Sequence, residues 1–182
     1  MEALNWSGRK RLPIIRQAES AECGLACLAM MASWYGHNID LPSLREFFTV
    51  SSQGMTLKRL TECAAGLRLS SRAVRLELSD LKSLDLPCIL HWNMNHFVVL
   101  HKVRGNQLTL HDPERGKVTL PLQEAGKHFT GVALELTPAA DFMPRDDRKK
   151  IHLHQLTGKT SGLVPAMLRI FIFALALEIL AL

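Results

Sequence analysis

With 182 residues, 47% of them apolar and 21% charged, the chain has material for one well-packed domain plus an appendage, and this composition excludes a disordered protein. The formal net charge of +5 does not select nucleic acid as a partner: the basic residues are scattered, there is a single tyrosine, and the densest basic run, Arg145 to Lys150, contains Asp146 and Asp147. Four cysteines (Cys23, Cys27, Cys63, Cys88) follow a basic N-terminus without a signal-peptide run, which predicts free thiols in a reducing compartment, three of them as small core residues.

Residues 23–35 carry two interleaved helical stripes, Leu25/Leu28/Ala29/Ala32 and Cys27/Met30/Met31/Trp34. A helix apolar on both sides belongs in a core, and Gly36 is placed to end it. A second short helix is expected over 42–48. A third is expected over 56–65, with Leu57, Leu60 and Ala64 on one face and Gly66 as its stop. The period then changes. Val74, Leu76 and Leu78 alternate with Arg75 and Glu77 as in a half-buried strand, and 79–84 reads as a helical turn before Pro87. Strands are expected over 88–92, 96–103, 107–111, 117–120 and 131–136, with turn signals at Asn93, Gly105-Asn106, Asp112-Pro113 and Gly116. Helices first and strands afterwards, joined by short connections, indicate an α+β domain over 1–137 with a mainly antiparallel sheet.

From 138 to 162 the sequence turns charged and linker-like, and 163–182 is strongly apolar, interrupted by Pro165, Arg169 and Glu178. A membrane helix needs about 20 apolar residues, so 163–182 reads as a first transmembrane helix or its leading part. An amphipathic helix lying on a membrane or a partner is the alternative. Arg145, Arg148, Lys149, Lys150 and Lys159 precede it, and under the positive-inside rule they hold the N-terminal domain in the cytoplasm.

The chemistry concentrates in a few residues. Cys23 opens the apolar helix, where the macrodipole favours a thiolate, although a Cys-Gly pair alone more often marks a core thiol. In the strand from His96, that histidine shares a face with Val98 and Leu100. In the next strand Asp112 shares a face with Leu108 and Leu110, leaving Thr109 and His111 on the polar side. An inward carboxylate beside an inward histidine makes a His-Asp pair natural, and His111 is the poorer candidate. Gln17 lies six residues before Cys23 as a plausible oxyanion donor. His91, His96 and His101 recur at an odd spacing that alternates faces, so no three-histidine metal site is expected. Cys23 and Cys27 lack a second pair to complete a zinc site. Gly158-Lys159-Thr160 lacks the earlier glycine of a phosphate loop, where Leu153 stands.

With these residues in hand, the chain closely resembles the C39 cysteine peptidases, the N-terminal domains of bacterial ABC transporters that export double-glycine-leader peptides. The matching segments are Gln17-Ala-Glu-Ser-Ala-Glu-Cys23-Gly through Met30, Trp34-Tyr-Gly36, Leu44-Arg45, Gly54-Met-Thr-Leu57, the run from Leu86 to Leu100, Asp112-Pro113 and the run from Phe129 to Leu136, over about residues 10–137. Glu22 stands where many relatives have aspartate. The resemblance implies a papain-like fold with Cys23 as nucleophile, His96 as general base and acid, Asp112 orienting His96, and Gln17 in the oxyanion hole. It implies cleavage after a Gly-Gly or Gly-Ala pair in the leader of a bacteriocin- or microcin-like precursor, with no cofactor or metal for that chemistry. ATP and Mg would enter only through an ATPase domain outside this chain. The implied partners are the leader-bearing peptide, the inner membrane, and the transporter's transmembrane and ATPase domains, in a dimer. A non-catalytic leader-docking module and a papain-like acyltransferase or amidase are the competing readings.

Overall fold

The computed structural model describes residues 11–49, 51, 54–149 and 163–180. The expectations for Lys150, the 150–162 part of the linker, Gly158-Lys159-Thr160 and the last two residues lie outside that set. The chain divides into two compact units, 1–149 and 150–182.

In the first unit α1 spans Cys23–Trp34, and its residues from Cys23 to Ala32 are all buried, as two apolar stripes require. It ends at Tyr35, and Gly36 follows with φ +99°, a conformation that only glycine enters without strain. Helix α2, Leu41–Phe47, is capped by Asp40, whose carboxylate accepts from the Ser43 N–H. Helix α3, Leu57–Gly66, is capped in the same way by Thr56 onto Arg59 N–H. Between α1 and α2 a two-residue strand, β1 (His37–Asn38), pairs in parallel with β8 (Arg145–Asp146).

The main sheet contains β2 (Leu69–Arg75), β3 (Cys88–Trp92), β4 (His96–Arg104), β5 (Gln107–Asp112), β6 (Gly116–Pro121) and β7 (Phe129–Pro138). Its order is β2-β7-β3-β4-β5-β6, and every neighbouring pair is antiparallel. Helices α1, α2 and α3 share one core with Ile89, Phe97, Val99, Leu134 and Leu136. The opposite face buries Leu90, Val98, Leu100, Leu108 and Leu110 with Leu81 and Ala125. The central strands are therefore covered on both faces, which explains why 88–90 and 97–100 are unbroken apolar runs rather than alternating ones.

Two expectations are corrected. The strand inferred from the alternation at 74–78 begins earlier, at Leu69, and ends at Arg75. Leu78–Ser83 is instead a 3-10 helix. Only Leu69 of β2 is buried, so its placement comes from pairing with β7, from Leu69↔Pro138 to Arg75↔Val132, and not from an apolar period. His111, expected on a polar face, is buried, because both faces of β5 are covered at that end. The apolar C-terminal segment forms a helix, Leu163–Leu180, but among the described residues no helix is long and apolar enough to cross a membrane.

Candidate active site

Cys23 is the first residue of α1 and is only 2% exposed. Opposite it, β4 begins at His96 and β5 ends at Asp112. Because these strands are antiparallel neighbours, the start of one lies beside the end of the other, which brings together residues far apart in sequence. His96 Nε2 stands 2.9 Å from Asp112 Oδ1. Cys23 lies close enough to the imidazole to add to the upward pull on its pKa. With Nε2 committed to Asp112, Nδ1 is the nitrogen left for the thiol. The His96–Asp112 hydrogen bond thus lies beside Cys23. The turn that launches β4 holds Asn93 and Met94 at positive φ (49° and 65°), so β3 reverses sharply and His96 pairs across the hairpin with Trp92.

Gln17 arrives from the other side, on the extended segment before α1. That segment is pinned to the end of β5. His111 Nδ1 donates to Pro13 O at 3.0 Å, Gln17 N–H donates to Pro113 O at 3.0 Å, and the Arg16 guanidinium donates to Glu114 O. Gln17 lines a cavity of about 210 Å³ with Ser20, Trp92, Asn95, His96 and Asp112. Its Oε1 is buried and takes no hydrogen bond among the described residues.

The electrostatics follow from the contacts. Burial pulls the His96 pKa down, but its hydrogen bond to the Asp112 carboxylate and the nearby Cys23 and Asp112 charges outweigh it and raise the group to about 9. Burial pushes Asp112 up, yet hydrogen bonds from His96 and from the Glu114 and Arg115 backbone N–H groups hold its carboxyl below the usual range. The pair is therefore imidazolium and carboxylate at neutral pH. Burial raises the thiols of Cys27, Cys63 and Cys88, which stay protonated as core residues. All four cysteines are free.

His96, Asp112 and Glu114 each offer a ligand atom within 4.8 Å of the others, the one such cluster among the described residues. A cation there would compete with the His96–Asp112 hydrogen bond. His91 and His101 do not join it; His101 packs edge-on against Trp34 and lies beside His111. The sequence pattern alone does not single out Glu22 and Arg45 as site residues. Glu22 is 4% exposed, and its carboxylate accepts from the backbone N–H groups of Ala18 and Glu19 and from the Arg45 guanidinium. The signal was present: an acid directly before a buried helix must find partners.

A profile described as the Peptidase C39 family matches residues 11–141. The chain is 42% identical over 175 residues to the probable microcin-H47 secretion/processing ATP-binding protein MchF of Escherichia coli, covering 96% of this chain and 25% of that protein. Identity and coverage are the same for the colicin V secretion/processing ATP-binding protein CvaB of Escherichia coli. The chain thus spans about a quarter of the length of these curated relatives. Among solved structures, a double glycine motif protease from an AMS/PCAT transporter, in complex with the leader peptide, aligns with a TM-score of 0.67 at 36% identity, covering 73% of this chain and 96% of that one. The peptidase domain of Streptococcus ComA, a bi-functional ABC transporter, aligns with a TM-score of 0.65 at 28% identity, covering 70% and 99%.

Proposed function

Because the chain belongs to the peptidase C39 family, we propose that it is the cysteine endopeptidase unit of a peptide exporter, removing a double-glycine-type leader from a bacteriocin- or microcin-like precursor. The observation that carries this reading is the His96–Asp112 hydrogen bond beside Cys23, with Gln17, His96 and Asp112 lining one cavity. The proton from Cys23 resides on His96 Nδ1, which makes the imidazolium, and the Cys23 thiolate attacks the carbonyl carbon of the scissile bond. The oxygen takes the negative charge, stabilised by the Gln17 side-chain amide and the Cys23 backbone N–H. His96 then returns the proton to the leaving amine as the C–N bond breaks. Water, deprotonated by His96, hydrolyses the thioester and restores the thiol. Asp112 holds the imidazole with Nδ1 toward the sulfur. Every step runs through the chain's own groups and one water.

On this reading the leader peptide, the transmembrane and ATPase domains of an exporter, and a second copy of the assembly are the partners. ATP and Mg belong to that ATPase. The peptidase unit works on the cytoplasmic side of the bacterial inner membrane, and the apolar helix Leu163–Leu180 is the leading part of the segment that meets the bilayer. The test is cleavage of a synthetic leader-cargo peptide by the full chain, with Cys23→Ala alongside. Cutting after the glycine pair by wild type alone is expected. Leader binding by both proteins with cutting by neither would replace the peptidase with a docking module.

A further inference from the structure

The segment between Gln17 and Cys23 is a surface loop that has to be as rigid as a core. Ala18, Glu19 and Ser20 are exposed, and the loop closes with a single 3-10 turn, Ser20–Glu22. No apolar side chain anchors it. Its anchor is Glu22, whose carboxylate is almost fully buried at the N-cap of α1 yet forms no capping bond to that helix. The side chain instead turns back along the loop. Oε2 accepts from Ala18 N–H at 3.1 Å and Glu19 N–H at 3.0 Å, and Arg45 of α2 closes on both oxygens, with Nη2 2.9 Å from Oε2. These bonds and the Arg45 charge hold the carboxyl below its usual range despite burial.

The placement of these bonds around Gln17 matters more than their number. On its N-terminal side, Gln17 N–H is tied to Pro113 O. On its C-terminal side, the next two amides, Ala18 and Glu19, are tied to Glu22. We infer that Glu22 and Arg45 are positioning residues for the Gln17 amide: the buried ion pair fixes the backbone on the far side of Gln17 and so sets where its side chain meets the substrate oxyanion. This inference rests on the proposed peptidase chemistry, because only an oxyanion donor requires that fixity. A misplacement of about 1 Å in a group of this kind costs on the order of 10²-fold in rate. Glu22→Gln keeps the shape, removes the charge and weakens both the amide bonds and the Arg45 fork. Arg45→Lys keeps the charge and loses the fork.

The experiment uses the full 182-residue chain and a leader-cargo peptide. Glu22→Gln is expected to lower kcat by about 10- to 100-fold, within the range for a disturbed oxyanion donor, with KM moved by less than about twofold. Arg45→Lys should fall between it and wild type. Alkylation of Cys23 by iodoacetamide should stay within about twofold of wild type, because the Cys23–His96 contact is untouched. In a Gln17→Ala background, Glu22→Gln should cost less than about threefold more, since the group it positions is gone. A purely structural residue would multiply the two losses, and that result overturns the inference. Amide hydrogen exchange at Ala18 and Glu19 reads the clamp without turnover and should quicken in both variants. Unchanged protection there also overturns it. If the wild-type chain cuts nothing, the peptidase reading fails separately, and amide exchange still decides whether the clamp exists.

Discussion

Losing Asp112 should move the pH profile as well as the rate, because its carboxylate is part of what lifts His96 to about 9. A raised histidine pKa means that the imidazolium pairing stabilises the fold fully below the ordinary value of about 6.5. That contribution is lost as pH rises through about 9. The same deprotonation sets the alkaline limb of kcat/KM, a property of the coupled thiol–imidazole pair. In Asp112→Asn the limb is expected to shift toward lower pH and kcat/KM to fall by about 10²-fold, read from a rate profile between pH 5 and 10. An alkaline limb that stays in place would show that Asp112 does not govern the imidazole. Gln17→Ala should lower kcat by about 10²–10³ while leaving residual cutting, whereas Cys23→Ala should leave none.

Among the elements, α1 carries the largest share of the core. Leu25, Leu28, Met30 and Met31 are fully buried, packed among α2, α3 and one sheet face. Leu28→Ala should destabilise the fold by about 2–5 kcal/mol, measured by urea unfolding, because the surrounding helices and strands cannot collapse onto the gap. Gly36 ends this helix at φ +99°, and a Cβ there would stand 3.2 Å from the Pro144 Cβ. Gly36→Ala is expected to cost at least about 1–2 kcal/mol, from backbone strain with crowding added. A variant as stable as wild type would mean that the turn relaxes to negative φ.

The 1–149 unit extends past the last strand of the main sheet. Arg145 N–H donates to Gly36 O at 3.1 Å and Asp147 N–H to Asn38 O at 2.8 Å, fixing β8 along β1. Asp147 receives buried His37 at 2.9 Å and Arg145 at 2.7 Å, and its carbonyl accepts from Ser43 Oγ at 2.8 Å. Lys149 N–H reaches the Asp40 carboxylate, and its ammonium pairs with Glu46. A chain ending at Pro138 leaves His37 and Ser43 buried without these partners, at about 1–3 kcal/mol for each unsatisfied group. Its midpoint should therefore lie about 5 °C or more below that of a chain ending at Lys149, by thermal melting followed by circular dichroism. Equal midpoints would show that the β1–β8 seam is dispensable.

The sequence by itself determined the helices and the strands with buried runs, and it pointed to the candidate residues of the site. Each leaves a local mark: two apolar stripes for α1, a glycine or capping residue at a helix end, a carboxylate extending an apolar strand face at Asp112. The family pattern around Cys23 added the roles. The tertiary structure decided what depends on contacts between distant segments. Strand β2 exists through β7, the buried state of His111 through the cover on both sheet faces, and β8 through β1. The Glu22–Arg45 clamp joins residues that no period connects. Local propensity and periodicity record a residue's own neighbours, whereas burial and ion pairing depend on which segments the folded chain brings against it.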